Sequence, residues 1–157
     1  MAYDFTANDI FEIAIQLEKN GAAFYREAAE QTDHAEHKEF LLELAAMEDD
    51  HEQTFAALQK DLSESETFSR VFDPDDENAM YLKSLADMRV FSEKETPSGD
   101  FKTIMRSAIQ AEKDSIVFYL GIKEMVPEKS GKSRIDDIIK EEMDHIRILA
   151  RKMVEAG

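Results

Sequence analysis

Glu18 is followed thirty residues later by Glu48, with His51 one helical turn beyond; Glu112 is followed thirty residues later by Glu142, with His145 at the same offset. A shift of 94 residues superimposes the two sets, so four carboxylates and two imidazoles form an internal repeat. The surroundings repeat too: residues 14–25 read AIQLEKNGAAFY and residues 108–119 read AIQAEKDSIVFY. Residues of these types at this spacing can bind metal. In Glu-x-x-His the two side chains share one helix face and can reach one ion together. One Glu from each of two helices and a Glu-x-x-His from each of two others make the ligand set of a carboxylate-bridged dinuclear site. The natural division makes Glu18 and Glu112 terminal ligands, and Glu48 and Glu142 bridges.

Charge balance supports that reading. An unpaired ionised carboxylate inside an apolar bundle costs several kcal/mol, on the order of what folding can spare. The apolar stripes that carry these glutamates offer no Lys or Arg, whereas two divalent cations and neutral imidazoles would balance four carboxylates. The competing reading is ordinary surface acids in a chain with 35 Asp and Glu. One Glu-x-x-His would not decide between them. Two copies do, each thirty residues after a Glu and each interrupting an apolar stripe.

Four long amphipathic helices must position these side chains. The first spans about 8 to 31, opened by Thr6 and Asp9 at capping-box spacing, with Phe11, Ala14, Glu18, Gly21, Tyr25 and Ala28 on one face. The second spans about 33 to 60, with the face Leu41, Leu44, Glu48, His51, Phe55 and Leu58. The third starts near Asp100 and stops before Pro127, with Phe101, Met105, Ala108, Glu112, Ser115, Tyr119 and Ile122. The fourth is expected to start after Ser133, at capping-box spacing to Asp136, with Ile135, Ile138, Glu142, His145 and Leu149. Fifteen residues up one helix and fifteen down its antiparallel neighbour, at about 1.5 Å each, return the chain to one height. Each hairpin, about 8–60 and 100–155, thus sets two Glu and one His side by side. The crossover 61–99 is too long for a tight turn. It is expected to hold a short helix starting at Asp73-Pro74-Asp75-Asp76-Glu77, with Leu82, Leu85 and Met88 to pack it down. A connection of that length lets the second and third helices run parallel, giving an all-α four-helix bundle with one long crossover and a single domain over 1–157.

Composition excludes other classes. At 157 residues and 43% hydrophobic the chain can bury one core. Its net charge of -16 argues against nucleic acid and anionic membranes and favours cations. With no cysteine there is no disulfide, thiolate zinc site or iron–sulfur centre within it. No apolar run is long enough to span a membrane, and MAYDFTAND lacks the pattern of a signal peptide, so a cytoplasmic location is the expectation.

The repeated AIQxEK…FY hairpin followed by Glu-x-x-His resembles the rubrerythrin branch of the ferritin-like superfamily over almost the whole chain. The resemblance implies a ferritin-like bundle with two non-haem irons on Glu18, Glu48, His51, Glu112, Glu142 and His145, and reaction of the reduced pair with hydrogen peroxide. It also implies frequent pairing into homodimers. Two departures matter. Rubrerythrins proper carry a cysteine-bound iron domain as electron relay, and without cysteine this chain needs a separate electron-donor protein. They also tend to carry a further Glu one turn after the third-helix ligand, where Ser115 stands here. The remaining set is equally that of a ferroxidase acting with dioxygen. Three functions follow in order: a di-iron peroxidase of oxidative-stress defence, a ferroxidase or iron-handling protein, and a structural or sensory bundle holding manganese or zinc.

Tyr25 and Tyr119, each seven residues after a candidate ligand, are expected on the same face, either bonding a ligand carboxylate or filling core. Asp50 and Asp144, preceding the histidines, are candidates to orient an imidazole, with solvent exposure the stronger expectation. His34 and His37 are read as surface residues. Asp73–Glu77 lacks the spacing of a calcium loop. The methionines are read mostly as core filler; Met143, beside Glu142, is weighed as a haem ligand and not favoured.

Overall fold

The computed structural model describes residues 6–62, 80–81 and 96–157. Four long helices make up most of them: α1 (Ala7–Gln31), α2 (Ala35–Lys60), α3 (Phe101–Met125) and α4 (Lys132–Glu155). Thr6 and Asp9 close the capping box on α1, each side chain accepting from the other's backbone N–H, at 3.1 and 2.9 Å. Asp100 caps α3 through Thr103 N–H at 2.8 Å. Helix α2 starts at Ala35, with His34 as an N-cap that makes no side-chain bond.

Helix α4 departs from the expected start. The Ser133–Asp136 box does not form, because a 3₁₀ turn (Glu128–Ser130) hands over directly to the helix at Gly131. Gly131 sits at φ 114°, in the left-handed region that favours glycine. It is also pressed against α2: a Cβ there would lie 2.4 Å from Leu58 Cδ2. The Ser133 hydroxyl instead donates to Glu128 at 2.6 Å, and Asp136 accepts from Lys123 at 2.6 Å.

The direction of each helix follows from which residues meet. Tyr25 reaches Glu112 while Tyr119 reaches Glu18, so α1 and α3 are antiparallel. His51 lies by Glu142 while His145 lies by Glu48, so α2 and α4 are antiparallel. With each hairpin antiparallel within itself, α2 and α3 run the same way, which requires the long crossover. The expected helix start at Asp73–Glu77 and its packing residues Leu82, Leu85 and Met88 lie outside the described residues. At residues 80–81 the backbone is helical, and the Tyr81 hydroxyl donates to Val117 C=O on α3 at 2.9 Å. Near its end, Pro97 C=O accepts from the Gln31 amide at 2.9 Å.

The core is split. One apolar cluster, around Phe11, Phe55, Tyr119, Ile122 and Ile135, fills one end of the bundle, and a second, around Tyr25, Leu41, Leu44, Met105 and Leu149, fills the other. The six Glu and His side chains occupy the layer between them. His37 is half-buried, stacked on Phe101 at 3.7 Å between ring centroids, while His34 is exposed and stacks on His37. Among the methionines, read mostly as core filler, Met143 is 46% exposed on the outer side of α4 and Met47 40% exposed on α2. Among the described residues no helix is long and apolar enough to cross a membrane.

Candidate metal centre

Glu18, Glu48, His51, Glu112, Glu142 and His145 are at most 4% exposed and are the buried polar side chains at the centre of the bundle. They form two overlapping groups. Glu18, Glu48, His51 and Glu142 each aim one donor atom into a first space, and Glu48, Glu112, Glu142 and His145 do so into a second; within each group these atoms lie within 4.8 Å of one another. Glu48 and Glu142 belong to both groups, so two carboxylates are shared and one Glu–His pair is peculiar to each.

His51 Nδ1 lies 3.3 Å from Glu142 Oε1 and 3.6 Å from Glu18 Oε2. His145 Nδ1 lies 2.9 Å from Glu142 Oε2, 3.2 Å from Glu48 Oε1 and 3.5 Å from Glu112 Oε1. The imidazole rings are nearly parallel, 5.6 Å apart. Among the described residues, every buried side-chain N or O without a hydrogen-bond partner belongs to this cluster: Glu18 Oε2, Glu48 Oε1, both Glu142 oxygens and the two Nδ1 atoms. Buried polar atoms are ordinarily paired, at a cost of about 1–3 kcal/mol each when they are not. Six orphans converging on one place fit cations that would bind them all.

Protons are the alternative counter-charge. Burial works against charge on both histidines, but the surrounding carboxylates outweigh it: Glu142 and Glu18 push His51 up to about 11, and Glu112, Glu142 and Glu48 push His145 up to about 12. Burial and neighbouring carboxylates raise Glu142 to about 8 and Glu48 well above the usual carboxylate range. The metal-free cluster is therefore a proton store, and cations must displace those protons.

The tyrosines brace the site from opposite repeats. The Tyr25 hydroxyl donates to Glu112 Oε1 at 2.5 Å, and that of Tyr119 donates to Glu18 Oε1. Each bond ties one hairpin to the other and leaves the second oxygen of Glu18 turned inward. Tyr119→Phe is expected to cost about 2 kcal/mol, the scale of a buried hydrogen bond to a charged group, read by urea unfolding. An unchanged midpoint would mean the hydroxyl bears no load.

Gly21 explains how Glu48 fits. A Cβ on residue 21 would lie 2.8 Å from Glu48 Oε2, so only glycine leaves the carboxylate its place. Gly21→Ala should keep the fold, even gaining up to about 1 kcal/mol of helix propensity. It should nonetheless weaken metal binding about tenfold or more by displacing a shared ligand. Melting curves with and without zinc would separate the two effects, and an undiminished zinc response would contradict this role for Gly21.

Asp50 and Asp144 do not touch the imidazoles; both are exposed, and Asp144 pairs with Arg147. The residue that orients an imidazole is one the sequence reading missed. Glu141 Oε2 lies 2.7 Å from His51 Nε2 across the bundle. With a proton on Nε2 the ring donates to Glu141, and the Nδ1 lone pair faces the carboxylates. The repeat gave no signal for it: the counterpart of Glu141 is Met47, in a stretch where Glu48, Asp50 and His51 recur but their neighbours do not. Beside this contact opens a cavity of about 300 Å³, lined by Asp50, His51, Thr54, Arg134, Asp137 and Glu141 among others.

Known proteins agree with this geometry. Over its full length the chain superposes on the full length of a crystal structure from Thermotoga maritima, described as that of a candidate ferritin-like diiron-carboxylate protein, with a TM-score of 0.72 and 28% sequence identity. No curated protein is matched. The rubrerythrin family model matches residues 9–153, which takes in nearly the whole of the four helices and all six clustered side chains. The bundle, the repeated Glu and Glu-x-x-His, and this match together establish that the chain belongs to the rubrerythrin family.

Proposed function

We propose that Glu18, Glu48, His51, Glu112, Glu142 and His145 hold two iron ions and that the loaded protein reduces hydrogen peroxide to water. The observation that carries the reading is the pair of four-residue groups sharing Glu48 and Glu142, filled with buried donor atoms that have no other partner. Two ferrous ions held there would supply the two electrons which, with two protons, convert one peroxide to two waters. The chain's own part is positioning and charge. Its four carboxylates neutralise two dications, the tyrosines restrain Glu18 and Glu112, and apolar clusters pack on either side of the centre. Electrons would return from a separate donor protein, since the chain has no cysteine with which to bind a relay iron. A cytoplasmic location belongs to the same proposal.

A second reading, a ferroxidase using dioxygen, is supported by one specific feature. Position 115 is a half-buried serine, and neither group contains a further carboxylate among the described residues. Stopped-flow absorbance on protein loaded anaerobically with two ferrous ions per chain separates the readings. Oxidation about tenfold or more faster with peroxide than with dioxygen is the expected outcome. The reverse order would favour the ferroxidase, and failure to retain iron would overturn both.

A further inference from the structure

The 94-residue repeat makes the two halves of the centre look equivalent: Glu18 matches Glu112, Glu48 matches Glu142, His51 matches His145 and Tyr25 matches Tyr119. The imidazoles break the equivalence. His51 Nε2 is hydrogen-bonded to Glu141 on α4 at 2.7 Å. Under the repeat, the matching contact for His145 would come from residue 47 on α2, and that residue is Met47, which carries neither charge nor a strong acceptor. Among the described residues no side chain hydrogen-bonds His145 Nε2.

A carboxylate on the distal nitrogen has three effects on a ligating histidine. It fixes the tautomer so that the lone pair is on the inward nitrogen, it holds the plane of the ring, and it raises the basicity of the ligand. His51 has all three and His145 has none from this source. We infer that the two metal positions are unequal: the one formed by Glu18, Glu48, His51 and Glu142 fills first and holds its ion about 10- to 100-fold more tightly than the one at His145, with Glu141 as the positioning residue responsible. The His145 position is then the exchangeable one, emptied first when metal is scarce. The inference rests on the dinuclear reading proposed above, and its test keeps the two apart.

The probe is cobalt(II) chloride, added to the metal-free protein and followed by calorimetry and by visible absorbance. Wild type should bind two cobalt ions per chain in two resolved steps, the first equivalent producing its own absorption band. Glu141→Gln should weaken the tighter step about 10- to 100-fold, leave the weaker step in place and so merge the two, while metal-free melting stays unchanged. Glu141→Asp should restore part of the loss, and Met47→Glu should tighten the weaker step. Asp137→Asn removes an exposed acid from the same cavity and controls for charge alone. A single binding constant in wild type would overturn the inference while sparing the dinuclear reading. So would a Glu141→Gln protein that titrates like wild type or like Asp137→Asn. Fewer than two cobalt ions per wild-type chain would overturn the dinuclear reading itself, and this inference with it.

Discussion

Glu142→Gln is expected to abolish binding at both metal positions, whereas Glu18→Gln or Glu112→Gln should abolish one. The difference follows from the way the carboxylates are shared. Glu142 is fully buried, and its two oxygens point in different directions: Oε1 lies 3.3 Å from His51 Nδ1 in one group and Oε2 lies 2.9 Å from His145 Nδ1 in the other. Glu18 belongs only to the first group and Glu112 only to the second. Glutamine keeps the volume, so no cavity opens and the apolar layers on either side stay packed. It is also uncharged, as the protonated Glu142 of the metal-free cluster is, and the metal-free protein should melt no lower than wild type. The loss is in binding, by about 100-fold or more at each position, equivalent to about 2.7 kcal/mol each. Metal analysis after gel filtration reads it directly: two ions per chain in wild type, close to none in Glu142→Gln and about one in Glu18→Gln or Glu112→Gln. Full retention by Glu142→Gln would show that the ions sit elsewhere.

Much of this arrangement was legible in the residues because it depends on spacing along helices, which is rigid. Thirty residues between Glu18 and Glu48 is a distance that only a hairpin folded near its midpoint converts into contact, and the polar stretch at residues 31–33 supplied the fold point. Burial of Leu41, Leu44, Glu48, His51, Phe55 and Leu58 along one face of α2 follows from the same 3.6-residue period. Exposure of Asp50 and Asp144, the stronger expectation for them, follows too, because adjacent residues on a helix point about 100° apart and the neighbour of a buried histidine turns to solvent. The misses concern relations that a single helix does not encode. Glu141 reaches His51 from the opposite helix, a pairing set by how α2 and α4 face each other. Helix α4 begins at Gly131 rather than at a Ser133 cap because backbone geometry and the press of Leu58 decide its start, and neither is visible in a Ser-x-x-Asp pattern. Met47 and Met143 lie on the outer sides of their helices while Met105 is core, a difference that residue type alone does not tell.

Metal binding should release protons and grow stronger as pH rises, because the cluster balances its charge with one or the other. Four carboxylates can be neutralised by two dications with neutral imidazoles. They can equally be neutralised by four protons, two converting His51 and His145 to imidazolium and two held by Glu48 and Glu142. The second state is the metal-free one. His51 is raised to about 11, His145 to about 12, Glu142 to about 8, and Glu48 upward. The sign is the same for all. Each group binds its proton more tightly folded than unfolded, so the stability it contributes is complete below its ordinary value and is lost as pH rises through its folded value. For Glu142 that window runs from about 4.5 to about 8, and for His51 from about 6.5 to about 11. The metal-free protein should therefore melt higher at pH 5 than at pH 8. Added zinc or cobalt should reverse the order: at pH 5 protons compete and the melting temperature should barely move, whereas at pH 8 it should rise strongly, by about 4 kcal/mol of stabilisation at a thousandfold excess over Kd. In weakly buffered solution at pH 7, an indicator dye should register two to four protons released per chain as two ions bind. A metal-induced rise that is the same at both pH values, with no proton release, would mean that these six side chains are not the ligands. Their burial without partners would then need another cause.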